Sequence, residues 1–191
     1  MVKVGLFFGS FNPIHIGHLI IADHFAQYSD LDQVWLVVSP RNPLKSKESL
    51  LKDHHRLAMV RIAAAENPRL KASDVEFKLD RPSYTVNTLA HLKDAYPEHD
   101  FCLIMGEDNL AGLAKWKNYE YILEHHEIYV YPREGSERKE FQGKKIQIVN
   151  APLMNVSASA IRKAIHEGKD VKYLLSHEVY SYLSEMNFYK K

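Results

Sequence analysis

Val4-Gly5-Leu6-Phe7-Phe8, then Gly9-Ser10-Phe11-Asn12-Pro13, then His15-Ile16-Gly17-His18 follow one another near the start of the chain, and their succession decides the architecture. The first run is short, apolar and bounded by turn formers, as in a strand buried on both faces of a parallel sheet. The second breaks that strand. The third opens an amphipathic pattern, Leu19, Ile20, Ala22, Phe25 and Ala26, at near-helical spacing. A strand that turns sharply into a helix leaves free backbone N–H groups at the helix start, where an anion is favoured. Two imidazoles at that turn could donate to phosphate oxygens, and if protonated they would add positive charge where negative charge builds up.

Outward from this turn, apolar runs fit strands at residues 2–8, 34–38, 101–105, 128–131 and 146–149, with a weaker one at 75–77. Helical patterns lie between most of them. Leu57, Val60, Arg61 and Ala64 form a stripe with the arginine at its edge, and a further helix starts near Ser83 or Thr85 and ends before Pro97. The alternation predicts an α/β fold: a doubly wound, mostly parallel sheet covered on both faces. After Val149 the pattern changes to two helices, 157–166 and 176–186, with no strand between them. The reading is one domain over 1–191, with an α/β core at 1–150 and a small helical C-terminal subregion at 151–191. Residues 39–49 and 132–145 read as loops, and the first, following a strand, could hang over a ligand site. The tyrosines from Tyr173 to Tyr189 read as packing for the terminal helices.

Composition narrows the function classes. With 191 residues the chain is long enough to bury a core without disulfides or a structural metal. A formal net charge of +1 disfavours bulk nucleic acid as a partner, though a local basic pocket remains open. No segment approaches the ~20 apolar residues of a membrane span, and the N-terminal apolar run is too short for a signal peptide. The single cysteine, Cys102, lies in an apolar run and reads as a small buried hydrophobe, which suits a reducing compartment. The expectation is a soluble, cytoplasmic protein that binds neither nucleic acid nor membrane.

The common nucleotide fingerprints, G-x-G-x-x-G and G-x-x-x-x-G-K-[ST], are missing, so phosphates must be handled otherwise. His15 and His18, three residues apart near a helix start, could face one ligand. Zinc is disfavoured because neither an adjacent glutamate nor a cysteine pair accompanies them. Far down the chain, Ser157-Ala158-Ser159-Ala160-Ile161-Arg162 places serines ahead of an apolar helical stripe, as an N-cap does. His54 and His55 precede a helical stripe, and His125 and His126 sit near a helix end; all four read as structural or surface residues.

The first turn resembles the H-x-G-H signature of the nucleotidyltransferases that join a nucleotide to a phosphorylated acceptor, and Ser157-x-Ser159-x-x-Arg162 resembles that superfamily's second signature. Between them, Arg81-Pro82-Ser83-Tyr84-Thr85-Val86-Asn87-Thr88-Leu89 and Gly106-Glu107-Asp108-Asn109-Leu110 through Trp116 are similar to segments of the bacterial nicotinate-nucleotide adenylyltransferases. The resemblance implies a Rossmann-like fold and synthesis of nicotinate adenine dinucleotide from ATP and nicotinate mononucleotide, with release of pyrophosphate. It departs from the family pattern at Ser10, where many relatives have a second glycine, and at Pro43-Leu44-Lys45, where they have a proline-proline-histidine run.

The acceptor's phosphate is already an anionic nucleophile, so positioning and charge neutralisation should carry most of the catalysis. Within that reading His15 and His18 are the catalytic pair, His18 stabilising the α-phosphoryl group. Gly9, Ser10, Phe11, His15, His18, Gly106, Asp108, Ser157, Ser159 and Arg162 form the ATP site. Asp108 would accept from a ribose hydroxyl, cap the following helix, or do both. Ser159 and its helix would hold the β- and γ-phosphates while Arg162 supplies a charged fork. Asn42, Lys45, Tyr84, Thr85 and Trp116 form the acceptor site: the first two reach the acceptor's phosphate, Tyr84 and Thr85 offer donors suited to a carboxylate, and Trp116, in a helical stripe, stacks on the pyridine ring or packs as core. Lys47 reads as a solvated loop residue. Mg²⁺ is expected to arrive on the substrate phosphates, with no protein metal site. Nicotinamide mononucleotide or phosphopantetheine as acceptor, a nucleotide-sensing module without turnover, and a homo-oligomer all remain open on the sequence.

Overall fold

The computed structural model describes residues 1–40, 50–133, 135 and 145–190. Its centre is a sheet of six strands: β1 (Val2–Gly9), β2 (Gln33–Val38), β3 (Leu70–Ser73), β4 (His99–Gly106), β5 (Ile128–Tyr131) and β6 (Ile146–Ile148). They pair in the order β3-β2-β1-β4-β5-β6, all parallel. Around the sheet run α1 (Ile16–Tyr28), α2 (Asp53–Ala64), α3 (Thr85–Ala95), α4 (Glu107–Ala111), α5 (Tyr119–His125), α6 (Ala158–His166) and α7 (His177–Glu185).

Alternation along each strand divides the core in two. Phe7, Val34, Leu36, Val38, Cys102, Ile104 and Tyr129 face one side, where they meet Ala22 and Phe25 of α1, Met59 and Val60 of α2, Ile161 of α6 and Val179 of α7. Leu6, Trp35, Val37, Leu103, Met105 and Val130 face the other, against Leu89 and Leu92 of α3, Leu110 of α4 and Ile122 of α5. Both faces are therefore covered, which is why the strands read as nearly continuous apolar runs. Each fully buried Leu or Phe side chain contributes about 1.5–3 kcal/mol. The two C-terminal helices share the first of these cores, so they are packed into the sheet's own face.

The chain builds outward from β1 to β2 and β3 on one side, then crosses back to β4, β5 and β6 on the other. At β1 and β4 the direction reverses, and the carboxyl ends of the strands at such a switch point are where open α/β sheets bind ligands. The H-x-G-H turn follows β1, and Gly106 closes β4.

Several expectations need correction. The weak strand at 75–77 is a 3₁₀ turn, Val75–Lys78, and the edge strand β3 lies just before it. Four residues pairing with only one neighbour carry little periodicity, and the pairing with β2 decides the conformation. His54 and His55 lie in the first turn of α2, ahead of its buried stripe, with His54 exposed. The short helices α4 and α5 entered the sequence reading only through their ends, Asp108 as a helix cap and His125 and His126 near a helix end, because neither spans enough turns to show a stripe. Tyr173 is exposed, while Tyr180, Tyr182 and Tyr189 do pack against the core. Cys102, by contrast, is buried as its apolar run predicts, and that burial pushes its thiol up to about 12.

Candidate active site

The site is built first from the turn after β1. Gly9 ends the strand, its carbonyl accepting from the Ser39 N–H at 2.9 Å. Phe11 adopts a left-handed backbone (φ 44°), which drives its ring inward, 2 % exposed, edge-on to Phe7 and to His18. Only the main chain of Phe11 can therefore face a nucleotide. Asn12 is buried beside it. Its Oδ1 accepts from the Leu51 N–H at 3.2 Å and from the Tyr189 hydroxyl at 2.7 Å. Its main-chain carbonyl accepts from Arg162 Nη1 at 2.7 Å.

His15 is the N-cap of α1, in extended conformation, and its N–H donates to His18 Nδ1 at 3.2 Å. The two rings stack with centroids 3.7 Å apart and planes 25° from parallel. Gly17 makes this arrangement fit: a Cβ there would stand 3.2 Å from both Cε1 and Nδ1 of His15. Burial, with the Arg133 guanidinium second, pushes His15 down to about 4. At neutral pH it is therefore an uncharged imidazole, able to donate one hydrogen bond. An anion beside it would act in the opposite direction.

On the same side of the sheet, Ser157 caps α6, its hydroxyl accepting from the Ala160 N–H at 3.2 Å. Ser159 is exposed in the first turn of that helix, and Arg162, one turn on, reaches the Asn12 carbonyl. The structure thus joins Arg162 of the second signature to the turn that carries the histidines.

The other side of the sheet carries the remaining candidates. Tyr84 is the N-cap of α3 and Thr85 its first residue, both half-buried. Trp116 stands just past a 3₁₀ turn, Leu113–Lys115, and not within a helical stripe. Tyr84, Trp116 and Phe8 border the same apolar core, and Lys117 Nζ lies 4.6 Å from the Tyr84 ring centre. Gly106, not Asp108, is the N-cap of α4. A side chain at Gly106 would stand 2.4 Å from Asp108 Oδ1, so glycine lets that carboxylate fold back over the end of β4. Asn42, Lys45 and Lys47 lie outside the described residues. Among the described residues no group of three or more His, Cys, Asp or Glu side chains is placed to hold a metal ion, and no helix is long and apolar enough to cross a membrane.

Two residues of the site have no place in the sequence reading. Arg56, 0 % exposed, donates to the carbonyls of Leu51, Ser10, Ser39 and Pro40 and to the carboxylate of Asp53. Asp53 in turn accepts from Arg81 at 3.0 Å, so one network joins the turn after β1, the end of β2 and the segment leading into α3. Its signal was an arginine beside Leu57 on the buried face of α2; Arg61, the arginine read at the edge, is exposed and 3.6 Å from Asp74. The second is Arg133, just beyond β5, with Nε 3.8 Å from Asp108 Oδ1. Its position after a parallel strand was the available clue.

The model of the cytidylyltransferase-like family matches residues 6–164. A protein of Christiangramia forsetii described as a probable nicotinate-nucleotide adenylyltransferase is 58% identical over 191 residues, covering 98% of each chain. The chain belongs to the nicotinate-nucleotide adenylyltransferase family. A second member of the family, from Flavobacterium johnsoniae and described in the same words, is 54% identical over 193 residues, covering all of both chains. Among solved structures, Plasmodium falciparum nicotinic acid mononucleotide adenylyltransferase complexed with NaAD shares the fold, with a TM-score of 0.81 at 20% identity over 99% of this chain and 98% of that one.

Proposed function

We propose that this chain transfers the AMP moiety of ATP to nicotinate mononucleotide, forming nicotinate adenine dinucleotide and pyrophosphate as a step of NAD biosynthesis. The observation that carries the proposal is the junction of the H-x-G-H turn with Arg162, at the carboxyl ends of β1 and β4, in a chain that matches this family from end to end. A phosphate oxygen of the mononucleotide attacks the α-phosphorus of ATP, the bond from that phosphorus to the β-phosphate bridge breaks, and pyrophosphate leaves. The attacking oxygen is already anionic and needs no general base.

In this reading the stacked pair His15 and His18 meets the α-phosphoryl group, with His18, the less buried of the two, donating to its oxygens. Gly9, Ser10 and Phe11 contribute main-chain groups to the nucleotide's bed. Ser157, Ser159 and the N-terminus of α6, an element of nine residues, receive the β- and γ-phosphates, and Arg162 neutralises them. Gly106 and Asp108 bind the ribose. Across the sheet, the Thr85 hydroxyl and the free N–H groups at the start of α3 receive the nicotinate carboxylate, and Tyr84 and Trp116 flank the ring. An amide there would present its own N–H groups to donors. Asn42 and Lys45 are assigned to the acceptor's phosphate on sequence grounds.

Mg²⁺ enters this reading on the triphosphate, held by phosphate oxygens and water, a mode that requires no carboxylate cage. It supplies charge neutralisation when bound. We place the reaction in the cytoplasm, in keeping with a lone, buried and unreactive cysteine. ATP and the mononucleotide are the partners, and a homo-oligomer is compatible with the site.

Turnover is tested by incubating the chain with ATP, Mg²⁺ and nicotinate mononucleotide and following pyrophosphate and dinucleotide together. Stoichiometric release of both supports adenylyl transfer. Binding of ATP without pyrophosphate release would make the chain a nucleotide-binding module instead.

A further inference from the structure

Behind the first turn of α3 lies a carboxylate that the reaction does not use. Glu76, in the 3₁₀ turn Val75–Lys78, is 3 % exposed. Its Oε1 accepts from the Thr88 hydroxyl at 3.0 Å, and its Oε2 accepts from the Ser83 hydroxyl at 3.2 Å. Both hydroxyls are buried as well. Among the described residues no cation stands within ion-pair distance of Glu76. Taking a carboxylate out of water is costly unless each oxygen is bonded, and here the two hydroxyls perform that service.

The two anchoring points matter because of what lies between them. Ser83 precedes the N-cap, and Thr88 is the residue at which the helical hydrogen bonds are under way: the N–H groups of Asn87 and Thr88 both donate to the Tyr84 carbonyl, at 2.9 and 3.1 Å. Tyr84, Thr85 and Val86 sit inside the bracket, and the N–H groups of Thr85 and Val86 have no intrahelical acceptor by position. Glu76 therefore holds a six-residue span whose Thr85 and Val86 N–H groups are left over by position in the helix.

We infer that Glu76 is a positioning residue for acceptor choice: by holding Ser83 and Thr88 together it keeps the donors of Thr85 and Val86 set for a ring carboxylate. This rests on the acceptor site proposed above. Fixed donors discriminate between an acid and an amide, whereas donors free to rotate can adapt to either.

The test is Glu76→Ala and Glu76→Gln in the full chain, with KM measured separately for ATP, nicotinate mononucleotide and nicotinamide mononucleotide. Glu76→Ala removes both tethers and should raise KM for the acid mononucleotide roughly tenfold, about the worth of one hydrogen bond to a charged group. The acid-to-amide preference should fall with it while KM for ATP stays put. Glu76→Gln should largely restore wild-type values, because an amide can accept from Thr88 through its oxygen and donate to Ser83 through its NH₂. If Glu76→Ala does not fold, Thr88→Val and Ser83→Ala each release one tether and should shift the same parameter. Unchanged acceptor KM in a folded variant, or an equal rise for ATP and acceptor, overturns the inference. A wild-type chain that does not use the acid mononucleotide overturns the proposed function, and this inference with it.

Discussion

Arg162 Nη1 donates to the main-chain carbonyl of Asn12 at 2.7 Å across 150 residues of sequence. The bond fixes the N-terminal turn of α6 against the turn that carries His15, and it uses only part of the guanidinium. Arg162→Lys keeps the charge but cannot grip both the carbonyl and a phosphate in one plane. It should lower kcat/KM for ATP by about 10²-fold, of the order of 3 kcal/mol, in steady-state kinetics, with KM for the acceptor little changed.

His18 stands in the first turn of α1, half-buried against Phe7 and Phe11. His18→Ala should reduce kcat by roughly 10²- to 10⁴-fold, the range for a lost acid or oxyanion-type donor. Loss confined to KM would instead make His18 a ground-state binder.

Gly17 separates activity from stability. Alanine is the better helix former by about 1 kcal/mol, yet its Cβ would stand 3.2 Å from the His15 ring and push that ring out of its stack on His18 by a few tenths of an ångström. Gly17→Ala should therefore lower kcat by roughly tenfold or more while leaving the melting temperature equal or higher. Thermal denaturation and turnover measured on one preparation check both halves.

His15 also sets a pH dependence. Its folded value near 4 lies below the ordinary 6.5, so between those values the unfolded chain binds more protons. Stability from this group is complete above about pH 6.5 and is lost as pH falls toward 4, on the order of 3 kcal/mol. Urea denaturation of the unliganded protein from pH 7.5 to 4 should show a shallower decline for His15→Gln than for wild type.

The sheet was legible because strands buried on both faces leave unbroken apolar runs, and because the turn after β1 combines breakers with a helix start. The serine cap of α6 was legible for the same local reason. Arg56 was not, since four of its five acceptors are main-chain carbonyls, which leave no trace in residue identity. Glu76 was hidden inside an apolar run, Val75 to Phe77, read as a strand. Tyr189 read as helix packing, and only the fold brings its hydroxyl to Asn12. Contacts that depend on distant chain segments follow from topology, and periodicity does not report them.

Acceptor choice is the central claim, and competition measures it most directly. Equimolar nicotinate and nicotinamide mononucleotides are supplied together with limiting ATP and Mg²⁺, and the two dinucleotide products are resolved and quantified from one reaction. The account predicts that the acid product dominates by at least about tenfold, as fixed donors facing a carboxylate require. Equal yields, or an excess of the amide product, would contradict it.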